Sequence, residues 1–389
     1  MTTPQEQFTA ADRHWMEQAI ELARRGLYTT RTNPRVGCVL VRGGQVIGEG
    51  YHERPGEGHA EVQALRNAAG HVRGATAYVT LEPCSHFGRT PPCASALIEA
   101  GVRRVVTASG DPNPQVNGRG LAILREAGVQ TACGLMSEAA EALNPGFFKR
   151  MRQGLPFVRL KMAISLDGRT ALANGDSQWL TGPQARHDVQ RWRARSCAIL
   201  TGAYTVLADN PSLTVRIGLN GEPCAPESTT IAQPLRVIVD GKRRVGTGAK
   251  LFSLPGATAI ATVRQPPPTQ PPAQPDGVHI WTLPAEHGHP SLPALMRRLS
   301  AEGINEVHTE CGPQLAGALL QAGLADELLL YMAPHLLGHG ARGLANIAPV
   351  SDMAQRPEFD IIDVTQLGPD LRIRATCKAA IGKHPHTAV

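Results

Sequence analysis

Aromatic side chains are scarce in this sequence: Phe, Trp and Tyr together make up only 4% of its 389 residues. An all-β architecture held by aromatic cross-strand pairs is therefore not expected, and an α/β one is. Eight cysteines are too few for a disulfide scaffold in so long a chain. No run of about 18 apolar residues occurs, which excludes a membrane-spanning helix. The opening MTTPQEQFTAADRHW has no apolar stretch behind a basic start, so no signal peptide is expected, and the expected location is cytoplasmic. With 42% hydrophobic and 19% charged residues the chain is not disordered. Its length suits two or three domains, each with a core of its own.

Lysine is absent from residues 1–148, where 14 arginines meet 14 acids. The whole formal charge of +6 therefore lies in residues 149–389, with 25 basic and 19 acidic residues. A domain that clamps nucleic acid carries a basic excess of its own, and the first part has none. On charge alone, the excess in the second part is a solvated surface before it is an anion site.

The first part alternates helices and strands. Residues 12–25 place Trp15, Ala19, Leu22 and Ala23 on one helical face. Residues 36–41 and 45–50 read as a hairpin through Arg42-Gly43-Gly44. A helix over 59–69, strands at 76–80, 104–108 and 129–131, and helices near 92–100 and 120–127 complete a sheet covered on both faces. The pattern stops at Asn144-Pro145-Gly146, and a basic stretch from Lys149 to Arg152 follows. The expected domains are 1–148 and 149–389. The second series has strands at 157–163, 198–201, 236–240, 257–262, 278–283, 306–310 and 327–331, with helices at 183–193, 291–302 and 313–322. Residues 265–275 hold six prolines and read as a surface loop inside the second domain.

One constellation in the first part carries chemistry. His59-Ala60-Glu61 opens a helix, Pro83-Cys84 follows a strand, and Cys93 begins the next helix. A hydrolytic zinc site needs three protein ligands and an open position, and His59, Cys84 and Cys93 supply that count. A helix N-terminus lowers a thiol pKa, which suits Cys84 and Cys93 to bind as thiolates. Glu61 is placed to take a proton from an attacking water and pass it to a leaving amine. Zinc deaminases show H-x-E followed by P-C-x-x-C, whereas eight residues separate the cysteines here. Two other readings stay open: a closed structural zinc site with His86 as fourth ligand, and two buried thiols with no metal. A structural site has no need of Glu61.

HAE with PCSHFGRTPPC, preceded by TNPRVGCVLV, resembles the N-terminal half of the bifunctional riboflavin-biosynthesis deaminase/reductases, in which the longer cysteine spacing is usual. The resemblance implies a cytidine-deaminase-like three-layer domain. It also implies hydrolytic deamination of 2,5-diamino-6-ribosylamino-4(3H)-pyrimidinone 5′-phosphate. By the same resemblance one zinc per chain is expected on His59, Cys84 and Cys93, with Glu61 as the catalytic proton shuttle and Asn33 similar to residues that contact the pyrimidine. Read alone, Asn33 is equally a turn residue.

In the second part, LKMAISLDG from Leu160, SQW from Ser177, TVLADNPSLTVR from Thr205 and ECGP from Glu310 are similar to the reductase half of the same family. That half implies a dihydrofolate-reductase-like α/β domain that uses NADPH to reduce the ribosyl chain. By the resemblance Ala163, Trp179, Thr205, Asp209, Gly312, Pro313, Gln314, Leu315, Ala316, Gly317 and Ala318 lie against the cofactor. Ser177, Arg193, Leu213, Arg216 and Glu310 lie against the substrate, and Lys161 is a further contact. From the residues alone, Ala163 and Leu213 are ordinary core positions, Trp179 a packing aromatic, and Arg193 a helix-end cap. Arg193 and Arg216 are nonetheless the natural phosphate clamps of the half with surplus charge. Family members often have Ser or Thr where this chain has Gly241, so no side-chain contact is expected there. Gly338-His339-Gly340-Ala341-Arg342-Gly343 fits G-x-G-x-x-G, but with Pro334 before it, Pro349 after it and no helix opening, it reads as a loop. The expected partners are a small phosphorylated pyrimidine and further copies of the chain, with no nucleic acid and no membrane. The alternative weighed is a nucleic-acid base deaminase with an accessory binding domain.

Overall fold

The computed structural model describes residues 8–68, 70, 72–85, 92–114, 116–263 and 277–378. His86 and the proline-rich stretch 265–275 lie outside the described residues. The chain divides into two compact units, Met1–Gly154 and Leu155–Val389.

In the first unit, helix α1 (Ala10–Arg25) starts at a capping box in which Thr9 and Asp12 exchange hydrogen bonds. Strands β1 (Gly37–Arg42) and β2 (Gln45–Tyr51) form the expected hairpin. Its turn residues Gly43 and Gly44 have φ of 60° and 76°, a conformation that favours glycine. Then come α2 (Ala60–Asn67), β3 (Thr76–Val79), α3 (Cys93–Glu99), β4 (Arg104–Thr107), α4 (Arg119–Glu126), β5 (Gln130–Cys133), α5 (Ser137–Leu143) and α6 (Pro145–Gln153). The sheet order is β2-β1-β3-β4-β5, parallel from β3 to β5. Alternate strand residues feed two cores. Val39, Val41, Tyr78 and Val106 pack on Met16, Ala19 and Ile20 of α1. Cys38, Leu40, Ala77 and Val105 pack on Ala60 and Ala64 of α2, Leu97 of α3 and Leu124 of α4. The result is the three-layer α/β/α arrangement expected.

The stop expected at Asn144-Pro145 is instead a start. Pro145 is the first residue of α6, where a missing N–H costs no hydrogen bond. Phe147 and Phe148 enter the first unit's core, and the helix runs on to Gln153, past the position expected to open the second domain.

The second unit holds β6 (Phe157–Ser165), β7 (Arg169–Ala171), α7 (Pro183–Arg195), β8 (Ala198–Gly202), α8 (Ala203–Asp209), β9 (Leu235–Val239), β10 (Thr258–Thr262) and β11 (Val278–Thr282). A two-residue ribbon of β12 (Ala285–Glu286) and β13 (His289–Pro290) precedes α9 (Leu292–Ala301), β14 (Glu306–Glu310), α10 (Pro313–Gln321) and β15 (Glu327–Ala333). The short β16 (Arg342–Gly343) pairs with β7, and β17 (Phe359–Leu367) and β18 (Asp370–Cys377) close the described chain. The nine-stranded order is β11-β10-β9-β8-β14-β6-β15-β18-β17. All pairs from β11 to β15 are parallel, and β18 and β17 add antiparallel. Leu295, Leu299 and Leu319 of α9 and α10 cover one face, and Val189 and Trp192 of α7 lie on Leu329 and Tyr331 of the other. Chain order reverses between β8 and β14, so a crevice opens beyond their C-terminal ends, the place where open α/β sheets bind ligands.

Candidate functional site

In the first unit the end of β3 and the starts of α2 and α3 converge. His59 is the N-cap of α2 and Cys93 the first residue of α3. Cys84 lies in the loop before α3, not on a helix as expected. The helix end still serves it, because the Cys93 backbone N–H donates to Cys84 Sγ at 3.3 Å. His59 Nδ1 stands 3.2 Å from Cys93 Sγ and 3.6 Å from Cys84 Sγ, and all three donor atoms lie within 4.8 Å of one another. Tetrahedral zinc, with Zn–S of about 2.3 Å and Zn–N of about 2.0 Å, has ligand-to-ligand edges of about 3.5 Å, so these donors fit the ion. The Cys93 hydrogen bond, ahead of His59 and against burial, brings the Cys84 thiol down to about 4. The thiolate in turn raises His59 to about 9, against burial.

Glu61 is 3% exposed, on the first turn of α2. Burial pushes its carboxyl up to about 7, with His59 pulling it down and Cys84 pushing it up. A carboxyl near neutrality that interacts with Cys93 suits a group that takes up and gives back one proton. Asn33 Nδ2 lies 3.0 Å from His52 Nε2, and the His52 ring stands edge-on to His59 with centroids 5.5 Å apart. Sequence reasoning missed His52. Its sequence neighbourhood carries no metal spacing, and only the pairing of β1 with β2 brings it beside Asn33. Glu82, next to the Pro83-Cys84 pair, was missed too. Its carboxylate accepts the N–H groups of Asp111, Gly118 and Leu121, tying the turn to the start of α4.

In the second unit one cleft of about 560 Å³ gathers Lys161, Ala163, Ser177, Trp179, Arg193, Thr205, Asp209, Leu213, Arg216, Glu310, Gly312 and Pro313. Trp179 is 72% exposed, with Arg186 4.7 Å from its ring centroid, so it is no packing aromatic. Arg193 is not a free clamp. It grips Glu310, with Nη2 donating to Oε2 at 2.8 Å, and its Nη1 donates to Thr214 O at 2.9 Å. Burial works against the Glu310 charge, but Arg193, then His308, hold its carboxyl well below the usual range. Lys161, opposite Glu310 in the β14–β6 register, is lowered by burial, partly offset by Glu310.

A larger cleft of about 1150 Å³ is lined by Gly202, Tyr204, Thr205, Val239, Gly312, Pro313, Gln314, Leu315 and Ala318, among others. Ala316 and Gly317, expected along the cofactor, line neither cleft. Ala316 is in the core, and a Cβ on Gly317 would meet Asn346 O at 2.0 Å. Their side of α10 packs inward, as helical periodicity requires. At Gly312 a Cβ would meet nothing within 4 Å. That open cradle at a helix start, beside a cleft of dinucleotide size, fits a phosphorylated cofactor.

Comparison with known proteins decides the family. The model described as "RibD C-terminal domain" matches residues 156–373. The chain is 50% identical over 363 residues to riboflavin biosynthesis protein RibD of Escherichia coli, covering 92% of this chain and 98% of that protein. The chain belongs to the RibD family. The model of the cytidine and deoxycytidylate deaminase zinc-binding region matches residues 9–109. Among solved structures, Acinetobacter baumannii RibD is 46% identical with a TM-score of 0.85, over 95% of this chain and 99% of that one. A diaminohydroxyphosphoribosylaminopyrimidine deaminase/5-amino-6-(5-phosphoribosylamino)uracil reductase of Thermotoga maritima is 32% identical with a TM-score of 0.82, over 94% and 99%. Like other RibD proteins, then, the chain is a bifunctional enzyme of riboflavin biosynthesis, with a zinc-binding deaminase domain followed by a reductase domain. The nucleic-acid deaminase alternative falls with that assignment. Among the described residues, no helix is long and apolar enough to cross a membrane.

Proposed function

We propose that the chain performs two consecutive steps on one phosphorylated pyrimidine. The first removes an amino group from 2,5-diamino-6-ribosylamino-4(3H)-pyrimidinone 5′-phosphate, consuming water and releasing ammonia. The second reduces the ribosyl chain with NADPH to give 5-amino-6-ribitylaminouracil 5′-phosphate. The observation that carries the reading is Glu61, buried beside His59, Cys84 and Cys93, where a closed structural zinc site has no use for a carboxyl.

His59, Cys84 and Cys93 hold zinc, which when bound supplies the Lewis acidity that makes water reactive near neutral pH. Glu61 takes the proton of the attacking water and delivers it to the departing amine. Asn33, held by His52, contacts the pyrimidine edge. In the second unit NADPH, when bound, would supply a hydride, two electrons with one proton, and the second proton that the reduction consumes would come from solvent. Gly312, Pro313, Gln314, Leu315 and Ala318, which line the larger cleft, would hold its phosphate and adenosine side, and Ala163, Trp179, Thr205 and Asp209 of the smaller cleft would hold the reacting end. Arg216 binds the substrate phosphate. Glu310, fixed by Arg193, and Lys161, Ser177 and Leu213 orient the sugar.

Along the chain the deaminase part gives way to the reductase part near residues 148–155, and the chain acts in the cytoplasm as a homo-oligomer. Strand β17 supports the last point, since it exposes Ile361, Ile362 and Val364 and is the last strand of its sheet among the described residues. The test is ammonia release and NADPH oxidation by purified full-length protein. Ammonia must appear without NADPH, and oxidation must wait for deaminated substrate. Oxidation of NADPH on the aminated substrate by a Glu61→Gln protein, which cannot deaminate it, would reverse the order of steps.

A further inference from the structure

Neither activity as described uses the Gly338–Gly343 motif. As expected it opens no helix; its last two residues form β16, paired with β7, and Thr170 Oγ1 donates to Gly343 O at 3.3 Å. That pairing carries Arg342 to the junction of the two clefts. Among the described residues it is the one Lys or Arg that lines both, together with Tyr204, Thr205, Gly312 and Pro313.

The Arg342 side chain is positioned rather than loose. Its guanidinium carbon lies 5.7 Å from the Tyr204 ring centroid, and Nη1 bonds the Tyr204 hydroxyl at 3.3 Å. On its other side it lies against Gly175, where a Cβ would come within 2.7 Å of it. Among the described residues no carboxylate pairs with it, in contrast to Arg193 and Glu310. A half-buried guanidinium held between a ring and a backbone, with its charge uncancelled, is suited to an anion.

We propose that Arg342 binds the diphosphate bridge of the dinucleotide cofactor. This rests on the cofactor reading above. A dinucleotide whose reacting ring reaches the smaller cleft and whose adenosine fills the larger one has its diphosphate where the clefts join, across from Gly312. The diphosphate is common to NADPH and NADH, so Arg342 contributes affinity for both and discriminates between neither.

The test is direct binding of NADPH and NADH to the full chain by titration calorimetry, with no turnover. Arg342→Met keeps the stem against Tyr204 and removes the charge. It should raise Kd for NADPH about tenfold or more at low salt and for NADH by the same factor, with a weaker salt dependence than wild type. Arg342→Lys should recover part of the loss. An unchanged NADPH Kd in Arg342→Met would overturn the proposal. So would a loss confined to NADPH, which would put Arg342 at the 2′-phosphate, or weakened binding of ribose 5-phosphate with the cofactor unaffected. If the wild-type chain bound neither dinucleotide, the cofactor reading itself would fall. Equal binding by wild type and Arg342→Met would leave that reading intact and remove this one alone.

Discussion

Replacing Arg216 by Ala should raise KM for the deaminated substrate and leave kcat almost unchanged. The Arg216 side chain is exposed in the smaller cleft, while its backbone N–H is held by Gln190 Oε1 at 2.9 Å. Among the described residues no ion pair engages it. Partial desolvation by the cleft walls and then the repulsion of Arg193 lower its pKa, with Glu310 pulling the other way. Its charge is thus available to a phosphate. A charge-assisted contact contributes about 1.5–3 kcal/mol, which is roughly ten- to a hundredfold in KM. The phosphate takes no part in bond making, so the contact is equal in ground and transition states and its loss falls on KM. Added salt should shrink the difference between wild type and variant. Arg193→Ala should behave otherwise. Arg193 and Glu310 are 9% and 15% exposed, so removing the arginine strands a nearly buried carboxylate. Breaking such a pair costs about 3–5 kcal/mol of stability, which appears as a fall in Tm before any kinetic effect. Initial rates of NADPH oxidation at two ionic strengths, with thermal unfolding of both variants, check the pair of expectations. An unchanged KM in Arg216→Ala at low salt would return that arginine to the solvated surface. An Arg193→Ala protein with unaltered Tm and a salt-sensitive KM would exchange the two roles.

Purified protein should hold one zinc per chain by elemental analysis, and Cys93→Ser should lose it; full occupancy in that variant would rule out the ligand set. Glu61→Gln should keep the zinc and lower deamination by about 10²–10⁴-fold, whereas normal ammonia release would reduce Glu61 to a structural role. Gly312→Val should raise Kd for NADPH and spare KM for the substrate, because the new side chain would fill the open cradle at the start of α10; a cofactor Kd equal to wild type would contradict the placement. Asp12 gives a pH dependence. Burial works against its charge, but Arg104, Thr9 and Tyr78 together hold its carboxyl down at about 2. A pKa depressed by folding contributes stability above the unfolded value, about 2 kcal/mol here, that is lost as pH falls from about 4 through about 2. Urea unfolding of wild type and Asp12→Asn should therefore differ by about that amount at neutral pH and converge near pH 2, and a difference that persists at acid pH would refute the assignment.

What could be read from the sequence follows from the range of each signal. The candidate ligands of the first unit were legible because each sits near an element boundary that leaves a local mark: His59 before an amphipathic turn, Cys93 after Pro91-Pro92. His52 left no such mark, since its neighbours are set by strand pairing and not by spacing. Pro145 misled because a proline at the first helical position looks, in one dimension, like a proline that ends something. The strands β17 and β18 were passed over although Asp370–Cys377 alternates along its length; the tight Gly368-Pro369 turn between them was the available signal. Ala316 and Gly317 were carried into the cofactor site by a contiguous motif, but a helix offers a ligand only one side. The residues of α10 that line the clefts are those on the open side or at the exposed first turn.

The charge surplus of the second half changes meaning once its partners are known. Several of its arginines are spent inside the unit. Arg159 lies between Glu306 and Glu327, Arg374 pairs with Glu327, Arg195 with Glu306, and Arg372 with Asp188 and Asp363. These pairs brace the sheet, and several crowd the ring of Trp192. A net count over 149–389 therefore says little about anions, because it weighs a buried Arg159 the same as an open Arg216. Among the described residues of the two clefts, the arginines that matter to phosphates are those with no carboxylate beside them. By that criterion Arg193 is a poorer candidate clamp than composition suggested, and Arg216 and Arg342, the latter inside a discarded glycine motif, are among the candidates.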